Sequence, residues 1–425
     1  MQERKICSKT LSEGTYLHTL FDKEYKTEYL TLFISMPLTL ENATKTSLLA
    51  RVLQRGSEHF PTMTDISRAL DTNFASSVGV SAFKCGEREV FCANLSCLKD
   101  RFAPNGEKIF EKGVEILKDI VFSPLVKDGK FCDEYFVSEK QNLKDSINAQ
   151  KNNKASWSRR RFISHMCENE AFSINGEGDE KTADKITNEE LYLFWRDVVL
   201  NSPADIYYVG EQNDAQVEKS VLGFFTRREV LPLPKTLIVS KAKEVKNVCE
   251  NTDIFQGHMW IGYRTGITYS SPNYLEAVLF NMLLGGDVTG KMFMNLREKM
   301  SLCYSCHSTL DATKGILTAY AGIDSANFEK AKGAFFEQLE KIKNGEITED
   351  EVLDAKKSFA NRMREISDNP SMLPMWYFMR REAGDLRDPE RDARDIMKTD
   401  VKSAVEFAKS ISLDTVYILA GGEKE

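Results

Sequence analysis

Hydrophobic and polar residues follow the same succession of patterns twice along the chain. In the first half, the alternation in Tyr29–Pro37 predicts a half-buried strand, and the apolar spacing in Thr44–Arg55 predicts an amphipathic helix. A second helix over Met63–Phe74 and two strands, Ala75–Lys84 and Arg88–Cys97, are predicted to follow.

The second half repeats this order. Gly257–Arg264 predicts a strand and Asn273–Leu284 a helix, followed by a short helix over Gly290–Glu298 and strands over Leu302–Ser308 and Gly315–Ile323. The first helices of the two halves lie about 230 residues apart, which is too long for a solenoid repeat. The sequence therefore predicts two homologous domains in tandem.

Each half continues with helices and ends on a strand. The returning strands are Ala204–Gly210 and Asp414–Gly421, and helices over Ala326–Asn344, Thr348–Asp368 and Thr399–Ser410 precede the second. Strands that are followed by a block of helices and one returning strand indicate an α+β fold class. Each domain is therefore expected to be a mostly antiparallel sheet with helices packed on it.

Two prolines in Arg227–Lys235 indicate a linker between the halves. We accordingly predict a first domain of residues 1–228, a linker of residues 229–244 and a second domain of residues 245–425.

Composition narrows the classes of function. The chain has 425 residues, 42% hydrophobic and 28% charged, and a net charge of −7. The acidic balance argues against a nucleic-acid partner, and no run of ~20 apolar residues predicts a membrane span. No secretory signal is visible, so the nine cysteines are expected to be reduced thiols in a cytoplasmic protein.

Two short motifs resemble ligand sites but lack part of the required pattern. Cys303-Tyr-Ser-Cys306-His307 has the spacing of a haem attachment site or of three zinc ligands, but no fourth ligand lies near and the stretch predicts a strand. Gly285–Lys291 resembles a phosphate-binding loop, but Met292 follows where a hydroxyl is needed and a helix precedes it.

Lys151–Arg161 contains five basic residues and no acidic one. Two interpretations stay open for this run. It is either a site for an anion or an acidic partner, or, more simply, a solvated helix face.

The five histidines exclude the common helical zinc motifs. No two of them lie within five residues of each other, so neither H-E-x-x-H nor H-x-x-E-H is present; they are His18, His59, His165, His258 and His307. No G-x-S-x-G motif of a serine hydrolase is present either.

The most informative segment runs from Leu283 to Ser305. Its glycine turn, Leu296-Arg-Glu-Lys299 and following Tyr304-Ser305 resemble the second-domain signature of the pitrilysin/insulysin zinc peptidases, which include the mitochondrial processing peptidase. The resemblance extends through the tandem layout over nearly the whole chain. It implies two similar α+β domains that enclose a cavity between them.

Active members of that family carry H-x-x-E-H on the first helix and a glutamate ligand further along. Alignment on this family places Ser47 and Arg51 at the two histidine positions, Ala50 at the general-base glutamate and Ser146 at the third ligand. None of these residues is suited to zinc. The chain therefore resembles a non-catalytic member, which we expect to bind no metal and to be inactive as a peptidase alone.

In the family, an arginine and a tyrosine seven residues apart contact the substrate carbonyl at the scissile bond. Arg297 and Tyr304 match both the residue types and the spacing. A guanidinium and a phenol hydroxyl stabilise the negative charge that grows on a carbonyl oxygen under attack. From the residues alone, a surface ion pair of Arg297 with Glu298 and a core position for Tyr304 are the alternatives.

The resemblance implies a division of labour between two chains. We expect a non-catalytic subunit of a heterodimeric zinc peptidase, with the zinc in an H-x-x-E-H paralogue and Arg297 and Tyr304 acting in trans on a peptide or protein substrate. The turn Gly285-Gly286 would let the substrate backbone approach closely. The alternative is a catalytically inactive peptide-binding or assembly factor, because similar paired proteins occur in bacteria and some are linked to elongation factor P modification.

Overall fold

The computed structural model describes residues 4–225 and 229–421. In it, strands of the chain form two large, separate sheets. The strands are β1 (Ile6–Ser12), β2 (Thr15–Phe21), β3 (Thr27–Pro37), β4 (Ser77–Cys85), β5 (Arg88–Leu98), β6 (Val126–Lys127), β7 (Lys130–Phe131), β8 (Ala204–Gly210), β9 (Lys246–Thr252), β10 (Gly257–Arg264), β11 (Cys303–Asp311), β12 (Ile316–Ile323) and β13 (Ser412–Gly421). The first sheet has the order β1-β2-β8-β3-β5-β4 and the second the order β11-β12-β10-β13-β9. β6 and β7 pair only with each other.

Helices follow the strands in each half. The α-helices are α1 (Leu40–Leu53), α2 (Met63–Thr72), α3 (Ile109–Phe122), α4 (Asp133–Ala149), α5 (Lys154–Met166), α6 (Glu180–Lys185), α7 (Asn188–Leu193), α8 (Asp214–Val221), α9 (Tyr274–Asn281), α10 (Phe328–Lys343), α11 (Glu349–Asp368), α12 (Leu373–Arg381), α13 (Pro389–Ile396) and α14 (Val401–Ser410). Helical turns of the π type cover Phe194–Val198, Met282–Gly286 and Phe293–Lys299. Turns of the 3-10 type cover Asp100–Phe102, Ala171–Ser173, Val199–Asn201 and Ser325–Asn327.

The two sheets share one topology. β3 pairs antiparallel with β5 and β8, and β10 pairs antiparallel with β12 and β13. Each sheet contains one parallel pair, β2 with β8 in the first and β9 with β13 in the second. The predicted α+β class with two similar units is confirmed, and β1 is an additional edge strand of the first sheet.

Residues 229–245, which follow the last helix of the first half, contain no helix or strand. Arg227 and Arg228, at the start of the predicted linker, lie outside the described residues. The predicted domain boundaries stay predictions. Within the described ranges, no helix combines the length and the apolar character needed to cross a membrane.

The two halves are joined by two helices, α5 and α12, and each of them packs against the sheet of the other half. Phe162 of α5 stacks on Trp260 of β10 with ring centroids 5.6 Å apart, and Phe378 of α12 stacks on Phe33 of β3 at 4.2 Å. Both helices thus bury their apolar faces in the other half rather than in their own. Since burial of a large aromatic side chain stabilises by roughly 1.5–3 kcal/mol, these contacts hold the halves closed.

An ionic cluster lies at the end of the α5 contact. Arg161 of α5 binds Glu250 of β9 through two nitrogens, and His165 Nε2 lies 2.8 Å from Glu250 Oε1. The hydroxyl of Tyr417 donates to the other oxygen of Glu250 at 2.9 Å. Arg161, assisted by His165 and Tyr417, lowers the pKa of Glu250 from 4.5 to about 2.

Replacing Glu250 by Gln is expected to change the acid sensitivity of the fold. A carboxylate whose pKa is lower in the folded chain stabilises it fully above the unfolded pKa, and that contribution is lost as the pH falls to the folded value. The difference in unfolding free energy between wild type and Glu250→Gln should therefore shrink between pH 4.5 and about pH 2. Urea unfolding at a series of pH values measures it. Glu329→Gln, at an exposed pair with Lys332, is the control, and a constant difference for Glu250→Gln would contradict the assignment.

Candidate functional site

The three zinc-motif positions of the first helix lie on α1 with different exposures. Thr39 caps the start of α1 by accepting a hydrogen bond from the backbone of Asn42. Ser47 and Ala50 are buried, with 7% and 3% of their surface exposed, because α1 packs this side against the core of the first half. Arg51 is half-buried and has no hydrogen bond or ion pair with the residues that the structure describes.

Residues 174–179, which we term the covering segment, lie over this part of α1. The hydroxyl of Ser47 donates to the carbonyl oxygen of Gly176 at 3.3 Å. The hydroxyl of Ser146, which α4 brings to the same place, donates to Glu177 Oε2 at 3.3 Å. Two of the expected ligand positions therefore lie close together. Their hydroxyl groups are hydrogen-bonded to adjacent residues of the covering segment.

Gly178 allows the covering segment to approach α1 closely. Its φ is +75°, and a Cβ atom there would lie 2.0 Å from Thr44 Oγ1. The backbone N–H of Asp179 donates to the same hydroxyl at 3.4 Å. A side chain at position 178 would displace the segment, so this glycine is required for the contact.

The residues at these positions do not fit zinc. Zinc in proteins takes imidazole nitrogen, thiolate or carboxylate ligands. Here α1 and α4 offer two hydroxyls, a methyl group and a guanidinium, at Ser47, Ser146, Ala50 and Arg51. Within the described ranges, no group of three His, Cys, Asp or Glu residues could hold a metal ion. We therefore derive no metal-dependent step in this chain.

Arg297 and Tyr304 lie on the surface of the second half. Arg297 belongs to the π-type turn Phe293–Lys299, with its guanidinium 4.5 Å from the Phe293 ring centroid and its Nε 3.6 Å from Glu298 Oε1. Tyr304 sits at a bulge near the start of β11, where the pairing register with β12 shifts between Cys303 and Ser305. Its side chain is 76% exposed, so Tyr304 is not a core residue.

Gly285 and Gly286 form a turn that is filled by the chain itself. A Cβ atom on Gly285 would lie 2.7 Å from the sulfur of Met292, and one on Gly286 would lie 2.7 Å from Asn281 Nδ2. Nearby Lys291 pairs with Glu351 at 2.7 Å, as an ordinary ion pair. The role of this turn in substrate approach stays a prediction.

A cavity of about 840 Å³ lies between the two halves, and the sequence did not predict its walls. It is lined by β4, α5, residues 172–179, the end of β11 with β12, and two methionines of α12. Arg159, Arg160 and Arg161 of the basic run are among the lining residues. Arg297 and Tyr304 are not.

Part of the basic run lies at the cavity, since residues 159–161 line it, whereas Lys151 is exposed outside it; both interpretations of the run stay open. Ile163 and Met166 of the same helix belong to the buried contact between the halves, which turns the preceding arginines toward the cavity. The apolar residues of this helix could have predicted that orientation from the sequence, because an apolar helix face packs against another surface and directs the opposite face away from it.

Comparison with known proteins adds three relatives and one family model. Residues 185–359 match the model described as "Peptidase M16 inactive domain". A Bacillus subtilis (strain 168) protein named "Probable inactive metalloprotease YmfF" is 31% identical over 414 residues, which cover 96% of each chain. A second protein of that organism, named "Uncharacterized zinc protease YmxG", is 23% identical over 184 residues, or 42% of this chain and 44% of its own.

A solved structure, described as a conserved protein from Enterococcus faecalis V583, superposes with a TM-score of 0.91. It is 24% identical, and the match covers 99% of each chain. At this level of identity the likeness shows the fold alone.

Proposed function

The chain belongs to the M16 family, the pitrilysin/insulysin peptidases, and on this basis we propose that it is the cytoplasmic, non-catalytic subunit of a two-chain zinc metallopeptidase. An H-x-x-E-H paralogue would hold the zinc and activate water. This chain would supply contacts to the substrate in trans and part of the wall around it.

The observation that carries the proposal is the exposure of Arg297 and Tyr304. The Tyr304 side chain is 76% exposed and that of Arg297 is 44% exposed. Both side chains are thus available to a second chain, since the acidic contact of Arg297, to Glu298, is long at 3.6 Å. If Arg297 and Tyr304 acted only on the degenerate motif of this same chain, they would not need to be exposed on its surface.

Both side chains have suitable chemistry for that role. The guanidinium of Arg297 stays charged at neutral pH, and the phenol of Tyr304 donates a hydrogen bond. Placed at a peptide carbonyl, they would stabilise the negative charge that develops on its oxygen. Removal of one such donor typically lowers kcat by about 10²–10³-fold.

The relatives are consistent with a pair of chains. In Bacillus subtilis, one similar protein is named a probable inactive metalloprotease and another a zinc protease. The occurrence of both names in one organism supports the proposal that an inactive chain pairs with an active one.

The test is peptide hydrolysis by this chain, by an H-x-x-E-H paralogue and by the co-purified pair, each with zinc. Activity should appear only in the pair, and Arg297→Ala should lower its kcat/KM about 10²-fold without changing assembly. Lys299→Ala, in the same turn and hydrogen-bonded to Asn295, is the control and should leave kcat/KM unchanged. Unchanged turnover of the Arg297→Ala pair would reject the role in trans, and zinc-dependent activity of this chain alone would reject the assignment of Ser47, Ala50 and Arg51.

The second candidate is a peptide-binding or assembly factor without a part in proteolysis, including one linked to elongation factor P modification. The cavity favours it, because this chain encloses a space of ligand size without a partner. A stable but inactive complex in the same experiment would select this candidate.

A further inference from the structure

Two cations in the wall of the interdomain cavity have no directly paired carboxylate in the part of the chain that the structure describes. Lys84 of β4 and Arg159 of α5 both line it, and neither has a carboxylate within 4.0 Å among residues 4–225 and 229–421. By contrast, Arg161, two residues after Arg159, is held by both carboxylate oxygens of Glu250. The chain therefore supplies a counter-ion for the cation at the edge of the cavity and none for these two.

The two cations are also close enough to repel each other. Lys84 Nζ donates to the carbonyl oxygens of Phe172 and Ile174 at 2.8 and 3.0 Å, which fixes it in the wall. Burial and then the charge of Arg159 lower the pKa of Lys84 to about 8. Burial, with Arg159 again as the charged neighbour, lowers the pKa of His307. Arg159 thus acts electrostatically on side chains of both halves, and an anion bound beside it would offset the repulsion.

The acidic residues of the cavity wall are engaged by their own surroundings. Glu177 accepts from Ser146, Asp179 caps α6 by accepting from the backbone of Thr182, and Asp311 accepts from Thr313 in its own turn. Arg160 donates to Gln150 and lies in the field of Glu177 and Asp179. Arg160 also has no carboxylate within 4.0 Å among the described residues, but it is already held by Gln150, so we assign the ligand to Lys84 and Arg159.

The rest of the wall mixes apolar with uncharged polar residues, and the volume is limited. Phe172, Trp157, Met375 and Met379 line the cavity beside the cations. Its 840 Å³ falls within the roughly 300–1,000 Å³ of pockets that enclose small ligands, so a folded domain does not fit. The occupant should combine carboxylates with apolar groups in a short molecule.

We propose that this cavity binds a short acidic peptide, with its carboxylates on Arg159 and Lys84 and its apolar side chains against the aromatic and methionine wall. Guanidinium and ammonium groups form charge-assisted hydrogen bonds to carboxylates; Arg159 is exposed at the wall and Lys84 is half-buried. This proposal rests on the proposed function in one respect, namely that the bound molecule is a peptide.

The test is calorimetric titration of the full chain, without partner or zinc, with two tetrapeptides. N-acetyl-Leu-Glu-Glu-Leu with a free carboxylate should bind at least tenfold more tightly than N-acetyl-Leu-Gln-Gln-Leu-amide. Arg159→Ala should remove this preference, and Arg159→Lys should restore part of it. Arg196→Ala, at an exposed arginine paired with Asp197 outside the cavity, is the matched control and should keep it.

Equal binding of the two peptides, absence of binding, or an unchanged preference in Arg159→Ala would overturn the proposal. Competition by inorganic phosphate at concentrations similar to those of the acidic peptide would also overturn it, because the site would then be a simple anion site. The titration needs no hydrolysis, so its failure is separate from failure of the two-chain peptidase.

Discussion

Arg380→Met is expected to lower the free energy of unfolding by about 3–5 kcal/mol. Arg380 is fully buried and binds Asp385 and Asp392 at 2.7 and 2.6 Å. The Trp376 ring centroid lies 3.7 Å from the guanidinium carbon. Asp392 is itself fully buried, and burial raises its pKa although Arg380 opposes the shift. Without Arg380, these two buried carboxylates keep Arg387 as their one ion-pair partner among residues 4–225 and 229–421.

Urea unfolding followed by circular dichroism measures this effect. Arg391→Met is the matched control, because Arg391 is an exposed arginine 3.6 Å from Asp395 on α13. Exposed pairs of this kind contribute about 0–1 kcal/mol. Equal losses in the two variants would show that the buried cluster has no special importance for stability.

Restoring the zinc motif is expected to yield a destabilised chain that still binds no zinc. The restored chain carries Ser47→His, Ala50→Glu, Arg51→His and Ser146→Glu. Ala50 is 3% exposed within the core of the first half, so a glutamate there adds volume and buries a carboxylate. Overpacking alone costs about 1–3 kcal/mol, and a buried charge without a partner adds to it. The covering segment meanwhile fills the space beside Ser47 and Ser146.

Zinc content by mass spectrometry and urea unfolding of the purified variant give the two measurements. A loss of more than about 3 kcal/mol and less than one zinc per ten chains are expected. Arg51→His alone, at the half-buried edge of α1, should change stability by no more than about 0.5 kcal/mol. One zinc per chain at full stability would show that loss of the ligands is the only defect.

The fold was predictable where a strand is buried along most of its length, and not where two edge strands are largely exposed. β8 and β10 were predicted to the residue, because nearly every position is apolar or buried. β1 and β9 were not predicted, since they are edge strands without a fully buried side chain. β2 was also missed, because its polar His18 is buried by a hydrogen bond to Asp205 on the neighbouring strand, which no local pattern reveals.

The site was predictable only in part. Alignment with the family selected Ser47 and Ser146, which lie together under the covering segment. Nothing local indicates that residues 174–179 pack there, because the contact joins elements about a hundred residues apart in the chain. The glycine at 178 was a usable signal, since a position with φ of +75° and no room for Cβ marks a close approach.

The exchange of α5 and α12 between the halves also couples two contacts that are far apart in the chain. For the halves to separate, Phe162 must leave Trp260 and Phe378 must leave Phe33 in the same event. Water would then wet two apolar surfaces at once, so a form with separated halves is a rare conformer of high free energy. A ligand of the cavity is consequently expected to enter while the halves stay together, because Arg159 is exposed in the joined form.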